Sequence, residues 1–479
     1  MSTPARPERA SGRPDRRRSD RPSGRVSARL SPRTVALYAA GSLGSGGYAT
    51  LPGLVLTYFL TDNLGVSALV AGAIVTVAKI WDVVIDPVIG AASDRQFART
   101  GSRRGFMVAG ALSLPFFFAA TFAVPPSWGP AAGAICVLLA FLATATAFSL
   151  FQVPYIALPA ELTSGYDERT RLLGWRVVVL TAAILLFGAG GPELRSAASD
   201  PVLGYLLMGG VAGVAIGLGM WVASRTADVA AAPPPPEDHA TIPTGLRTQY
   251  AAALRVLRRS QPFRALLGTY LLQALATGTM LAAAQYVATW VLGSEDAVTL
   301  VFLALVGPAL VATPAWAALA RRIGKERAFG IASTLFLTAA ASLTLAVWSP
   351  GDWIYVSVAV AGVAYAGLQA LPMAMLPDVI AHDERVAGGE RGRAGTFTGV
   401  WTAGETVGFA LGASAVAATL ASTGYVSTVA GVTTAQPDAA VAGIALSFSV
   451  LPATLMAASL VTLRRYRLRR SDIDVSPPA

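Results

Sequence analysis

The chain has 479 residues, 54% of them apolar and only 13% charged. Soluble domains carry roughly 45–50% apolar and about 25% charged residues, so a string of soluble domains, each needing its own polar exterior, is excluded. The formal charge is +10, all but two of the 37 basic residues (Lys79 and Lys325) are arginines, and the lone Cys136 excludes an internal disulfide framework.

Residues 1–35 hold ten arginines, five prolines and three acids and read as a disordered basic tail. A nucleic-acid arm has the same composition, but the charge bias of a membrane protein explains these residues without one, and no nucleic-acid partner is expected. Arg16 to Arg18 do not precede the short cleavable apolar region of a signal peptide.

A bilayer core of about 30 Å needs roughly 20 mostly apolar residues in helix. Twelve such runs follow, at 36–60, 67–93, 105–123, 130–158, 171–190, 203–223, 263–291, 297–320, 327–347, 353–378, 394–424 and 438–463. The expected fold is therefore all-α and polytopic. Lys and Arg crowd alternate loops, including Arg95, Arg99, Arg103, Arg104, Arg169, Arg321, Arg322, Lys325, Arg327, Arg385, Arg391 and Arg393, whereas the other loops hold little besides Arg195. The positive-inside rule then places both termini in the cytoplasm of a multi-pass plasma (inner) membrane protein.

A stretch at 225–262 containing Pro233 to Pro236 reads as an extended linker. It divides the chain into halves at 36–224 and 263–463, with a tail at 464–479. Duplication supports the division. Arg99, Gly101, Arg104 and Phe106 form R-x-G-x-x-R-x-F, and Arg322, Gly324, Arg327 and Phe329 repeat it 223 residues later, both between the second and third spans of their half. Parallel six-helix repeats build major facilitator transporters, whose substrate site lies near the midplane between the halves.

Five ionisable residues fall at membrane depth: Lys79, Asp82, Asp86, Arg176 and Glu405. Each costs on the order of 2.5–3.5 kcal/mol on insertion scales, so they must face one another, a cavity or a bound ion. Lys79, Asp82 and Asp86 are spaced i, i+3, i+7 and fall within roughly a 60° arc of one helix face. Two carboxylates held together favour a bound cation or a shared proton. The alternative is a plain Lys79–Asp82 pair with Asp86 near the interface. Arg176 reads either as a substrate or gating residue or as a snorkelling arginine. Glu405 shares a face with Trp401, which suits a sugar or an amphiphile. Tyr58, Gln152, Gln285 and Tyr286 are further candidates for the substrate wall. No nucleotide-binding, zinc or catalytic-triad pattern is present, so the expectation is a non-enzyme without cofactor, energised by a gradient.

The run Ile80-Trp81-Asp82-Val83-Val84-Ile85-Asp86-Pro87, continuing into Ser93-Asp94-Arg95 and Gly101-Ser102-Arg103-Arg104-Gly105-Phe106, resembles the signature of the glycoside-pentoside-hexuronide:cation symporters. These form the melibiose-permease-like branch of the major facilitator superfamily. Val153-Pro154-Tyr155 through Glu161, Glu168-Arg169-Thr170-Arg171, Met375-Leu376-Pro377-Asp378 and Phe397-Thr398-Gly399-Val400-Trp401 are similar too. The resemblance implies cation binding by Asp82 and Asp86. It matches Arg176 to the family's helix-five arginine; the substrate candidates are then Arg176 and Thr406, with Lys79, Tyr58, Gln152, Gln285, Tyr286, Trp401 and Glu405 from the residues themselves. It further implies a cytoplasmic gate of Asp94, Arg95, Arg103 and Arg104, to which Glu161 and Arg169 are added as gate candidates. Sugar-binding members place acids where this chain has Gly46 and Gln152, and commonly a lysine where it has Thr406. The expected activity is transport of a small glycoside or related metabolite with H+ or Na+ by a monomer. The alternative is proton-coupled export of a drug, a secondary metabolite or a lysolipid-like amphiphile.

Overall fold

The computed structural model describes residues 29–163, 166–228, 257–386, 394–432 and 434–468. The expected disordered tail and most of the linker and C-terminal tail lie outside these residues. Helices α1 (Pro32–Tyr58), α2 (Ala68–Thr100), α3 (Arg104–Phe122), α4 (Pro130–Leu162), α5 (Tyr166–Ser196) and α6 (Pro201–Ser224) form the first half. The second half contains α7 (Gln261–Tyr286), α8 (Ala297–Ile323), α9 (Lys325–Ser342), α10 (Trp353–Val386) and α11 (Ala394–Ser422). Its last span is broken into α12 (Asp438–Phe448) and α13 (Val450–Leu463). The break was not expected. It falls at Ser449, three residues before Pro452, which has no N–H to continue the helical ladder.

Among the described residues eleven spans are long and apolar enough to cross a membrane. The twelfth is α1, whose Gly, Ser, Thr and Tyr residues keep it less apolar. Nineteen of its 27 residues are buried by other helices, so α1 meets protein where the outer helices meet lipid, and it does not need their apolar surface. Several helices overrun the expected spans by about one to two turns at the face where the chain both enters and leaves the bundle, here the terminal face. There α2 continues to Thr100, α4 to Leu162 and α10 to Val386. The charges that end the apolar runs ride on these extensions.

The duplication is deeper than one loop. In both halves Gly101 and Gly324 take positive φ directly after the second helix, the conformation glycine supplies at a helix end. Tyr58, Thr61, Leu64 and Gly65 recur 228 residues later as Tyr286, Thr289, Leu292 and Gly293. In each copy the tyrosine ends an α-helix, a π turn follows (Phe59–Asn63 and Val287–Val291), and the glycine has positive φ. Pro154, Leu158 and Pro159 of α4 likewise match Pro372, Leu376 and Pro377 of α10.

The halves meet where α1 packs on α7, α2 on α11 and α5 on α8. These contacts sit toward the distal face, opposite the chain ends. Gly53 faces Leu281, Gly72 faces Ala417 and Gly188 faces the Phe302 ring; Thr76 hydrogen-bonds Ser414, and Thr299 donates to the Ala189 carbonyl at 3.4 Å. A Cβ at Gly72 would collide with Ala417, so this glycine sets how closely the distal ends approach. Gly72→Leu should hold them apart: electron-spin distance measurements between labels on α2 and α11 should show a population lengthened by several ångströms. An unchanged distance would contradict this account of the contact.

Candidate functional site

On α2 the Lys79–Asp82 pair is formed. Lys79 Nζ donates to Asp82 Oδ2 at 3.0 Å and lies 5.0 Å from the centroid of the Tyr48 ring, which stacks on Phe148 of α4 at 4.0 Å. Lys79 therefore points inward to α1 and α4. Asp86 sits one turn further along, close enough to Asp82 and Lys79 to feel both charges and beside Ser149. One oxygen of each acid, Asp82 Oδ1 and Asp86 Oδ1, is buried without a hydrogen-bond partner. Buried polar atoms normally have partners, and an orphan costs about 1–3 kcal/mol, more when charged. Two orphaned carboxylate oxygens on adjacent turns leave hydrogen-bonding capacity that a cation or a proton can satisfy.

On the neighbouring helices Ser45 donates to Gln152 Oε1 at 2.7 Å. Tyr155 Oη lies 3.2 Å from Ser42 Oγ and donates to the Tyr38 carbonyl at 2.9 Å. The Arg176 guanidinium stands 5.5 Å from the centroid of Tyr155, with Nε unpartnered. Arg176 thus belongs to the polar interior of α1, α4 and α5, which favours the first of its two readings over snorkelling. The glycine at 46 also has a physical reason. A Cβ there would lie 2.7 Å from the Ala183 Cβ and 3.1 Å from the Leu180 carbonyl oxygen, so the α1–α5 contact leaves no room for an acid.

In the second half Glu405 accepts from Tyr270 at 2.7 Å. Tyr270 also reaches Gln369 at 3.2 Å, and Gln369 donates to Tyr365 at 2.7 Å. Trp401 is 1% exposed and stacks on Tyr270 with centroids 4.3 Å apart. It does not present a ring face to a solute, as its shared helix face with Glu405 had suggested; it fixes the tyrosine that holds Glu405. Thr406 is half-buried beside it on α11. Tyr270, Gln369 and Tyr365 escaped the sequence reading because uncharged polar residues in apolar runs give no signal of depth.

Tyr58, Gln285 and Tyr286 are not on this wall. They lie at the distal end, where the two π turns meet. Tyr58 donates to Glu295 at 3.2 Å, Gln285 Nε2 to the Glu295 carbonyl at 3.3 Å, and Tyr286 Oη is 2.7 Å from Thr61 Oγ1. The two repeated tyrosines pack edge to face at 5.2 Å. Asp62 accepts from Tyr425 at 2.5 Å, and buried Arg195 lies 3.1 Å from Glu295. The main chain joins in, with Thr428 and Ala430 donating to the Thr61 and Asn63 carbonyls at 2.9 and 3.0 Å. Tyr58, Asp62, Asn63, Arg195, Glu295 and Thr428 line a cavity of 690 Å³ shared by both halves, with Tyr205 beside them. Asp62, Arg195, Tyr205, Glu295 and Tyr425 were missed as site residues, although Arg195 stood out as the isolated arginine of its face.

At the terminal face Arg103 is the hub. It bonds Asp94 at 2.6 Å, Glu161 at 2.7 Å and Ser93 at 2.8 Å. Burial would lower its pKa, but the two carboxylates outweigh that and hold it above its ordinary value. Arg104 pairs with Asp228 at 2.6 Å. Two expected members stand outside this carboxylate network: Arg95 donates to the Ala91 carbonyl at 3.1 Å and Arg169 to the Thr163 carbonyl at 3.0 Å. The second half repeats the clamp as Lys325 on Asp378 at 2.6 Å. Arg103→Ala strands the largely buried Glu161 and should cost about 3–5 kcal/mol, read as a lower unfolding temperature. Adding Glu161→Gln should recover part of the loss; a single variant as stable as the parent would contradict the hub role.

The family model described as MFS/sugar transport protein matches residues 37–470. Among similar proteins, the uncharacterized symporter sll1374 of Synechocystis is 26% identical over 91% of this chain and 94% of its own length. The glucuronide carrier protein homolog of Escherichia coli is 23% identical, covering 92% and 94%. Among solved structures, a D-xylose-proton symporter superposes with a TM-score of 0.64 at 13% identity, covering 92% of this chain and 98% of its own.

Proposed function

Because the chain belongs to the MFS/sugar transport protein family and is a multi-pass secondary transporter, we propose that it carries a small glycoside or related sugar-like metabolite with H+ or Na+. The observation that supports coupling most strongly is the pair of orphaned oxygens on Asp82 and Asp86 beside a single Lys79. Two carboxylates against one ammonium leave one negative charge, which a monovalent cation cancels. Substrate fits between two polar walls, Gln152 and Arg176 on one side and Glu405 with Tyr270 on the other. Tyr58, Gln285, Tyr286, Arg195 and Glu295 then act as the distal gate. The arginine bias puts the terminal face in the cytoplasm, so the distal gate is the outer one and the clamps on Arg103 and Lys325 are inner elements.

Alternating access links these parts. A cation at Asp82 and Asp86 removes the charge that opposes closing α2 against the second half, and substrate bridges the walls. Flux-linked coupling follows when the two states differ in affinity for both ligands. Proteoliposomes with imposed proton or sodium gradients, tested against a panel of glycosides, should show accumulation driven by one gradient. Asp86→Asn should lose accumulation by at least about tenfold, the scale of a 1.4 kcal/mol coupling energy, while keeping exchange across the membrane. Accumulation by this variant at the parent rate would refute the coupling role, and reversed dependence on the gradient would indicate export.

A further inference from the structure

A groove of 730 Å³ opens sideways on the second half, between α9, the end of α8 and α13. Ile323, Arg327, Gly330, Thr334, Thr338 and Leu460 line it. Gly330, Thr334 and Thr338 follow at i+4 steps, so they form one strip along α9. The threonine hydroxyls are satisfied by the Gly330 and Leu335 carbonyls at 2.9 Å each, which leaves the strip without a free polar group. From Arg327 to Thr338 the groove runs about 16 Å along the helix, the depth of one leaflet of a bilayer with a core of about 30 Å.

The charge at its mouth breaks the symmetry of the repeat. Arg104, at the start of α3, is answered by Asp228 just beyond α6. Arg327 is its repeat partner at the start of α9, yet forms no ion pair among the described residues. Where the first half supplies an acid after its last helix, the described residues that follow the last helix of the second are exposed Arg464, Arg465 and Arg467 with Tyr466 and Leu468. Leu463, next to Arg464, lies within van der Waals reach of a Cβ built on Gly330. The arginine therefore stands over an apolar slot with more arginine behind it, and among the described residues no carboxylate takes the place of its anion.

We propose that this groove holds one acyl chain of an anionic phospholipid whose phosphate is bound by Arg327. Basic pockets between membrane helices recognise anionic head groups through the same chemistry, with about 1 kcal/mol per arginine near the surface. The slot adds a chain-length fit that a surface arginine alone lacks.

Native mass spectrometry of the full chain in detergent, titrated with dioleoyl phosphatidylglycerol or dioleoyl phosphatidylcholine, tests this. Phosphatidylglycerol should be retained roughly fivefold better, the scale set by one arginine, and Arg327→Gln should abolish that preference. Arg322→Gln, which removes a neighbouring exposed arginine outside the groove, should leave it intact. Thr334→Leu, or Gly330→Leu should the first variant fail to fold, plugs the slot and should lower retention of phosphatidylglycerol with Arg327 still present. Equal retention of the two lipids, equal losses in Arg322→Gln and Arg327→Gln, or undiminished retention in a folded plugged variant would overturn the proposal. So would competition by glycerol 3-phosphate at the lipid's own affinity, which would mark an anion site without an acyl slot.

Discussion

A carboxylate inside a helix bundle surrounded by lipid has to be neutralised, and the polar architecture follows from how the chain meets that demand. Lys79 answers only Asp82. Asp86 and the second oxygen of Asp82 stay open inside an interior of Tyr48, Phe148 and Ser149. A site fully paired by its own residues would have no use for a cation, and a site with no internal pair would be too costly to bury. Intermediate neutralisation is what the proposed ion coupling requires.

The same constraint explains the distribution of side chains around it. Helix α1 gives up apolar surface so that Ser42, Ser45 and Tyr48 can serve the polar interior, and it survives because neighbouring helices shield it. Gly46 lets α5 come close enough to place Arg176 over Tyr155. In the second half Trp401 holds Tyr270, and Tyr270 holds Glu405. At both faces arginine and lysine are fixed by acids, on facing helices at the terminal face and in the turn before α8 at the distal one. The distal pair joins the two halves, and the terminal clamps lie within each half, an arrangement that leaves the halves free to separate at one face while each stays rigid.

Much of this was legible in the sequence because lipid punishes misplaced charge. Twelve spans announced themselves by apolar length, the α2 charges by their helical spacing, and the loop repeat by an unbroken offset of 223 residues. Position along the membrane normal was less legible. Tyr58, Gln285 and Tyr286 look like wall residues on a helical wheel, which reports azimuth but not height, and only the π turns after Tyr58 and Tyr286 reveal them as the meeting point of the halves. Trp401 was misread for a related reason: sharing a face with Glu405 does not say whether that face is open. The Y-x-x-T-x-x-L-G duplication was present in the letters and would have placed Thr61, its neighbour Asp62 and Thr289 at equivalent ends.

The central claim is that Asp82 and Asp86 form one cation site. Its most direct measurement is the stoichiometry of ion binding by the purified protein in the absence of a membrane gradient, by calorimetric sodium titration together with proton release and uptake across pH. One cation per chain is expected, bound tighter when substrate is present and absent from the Asp82→Asn/Asp86→Asn protein. A full equivalent of cation bound by that doubly neutralised protein would contradict the claim.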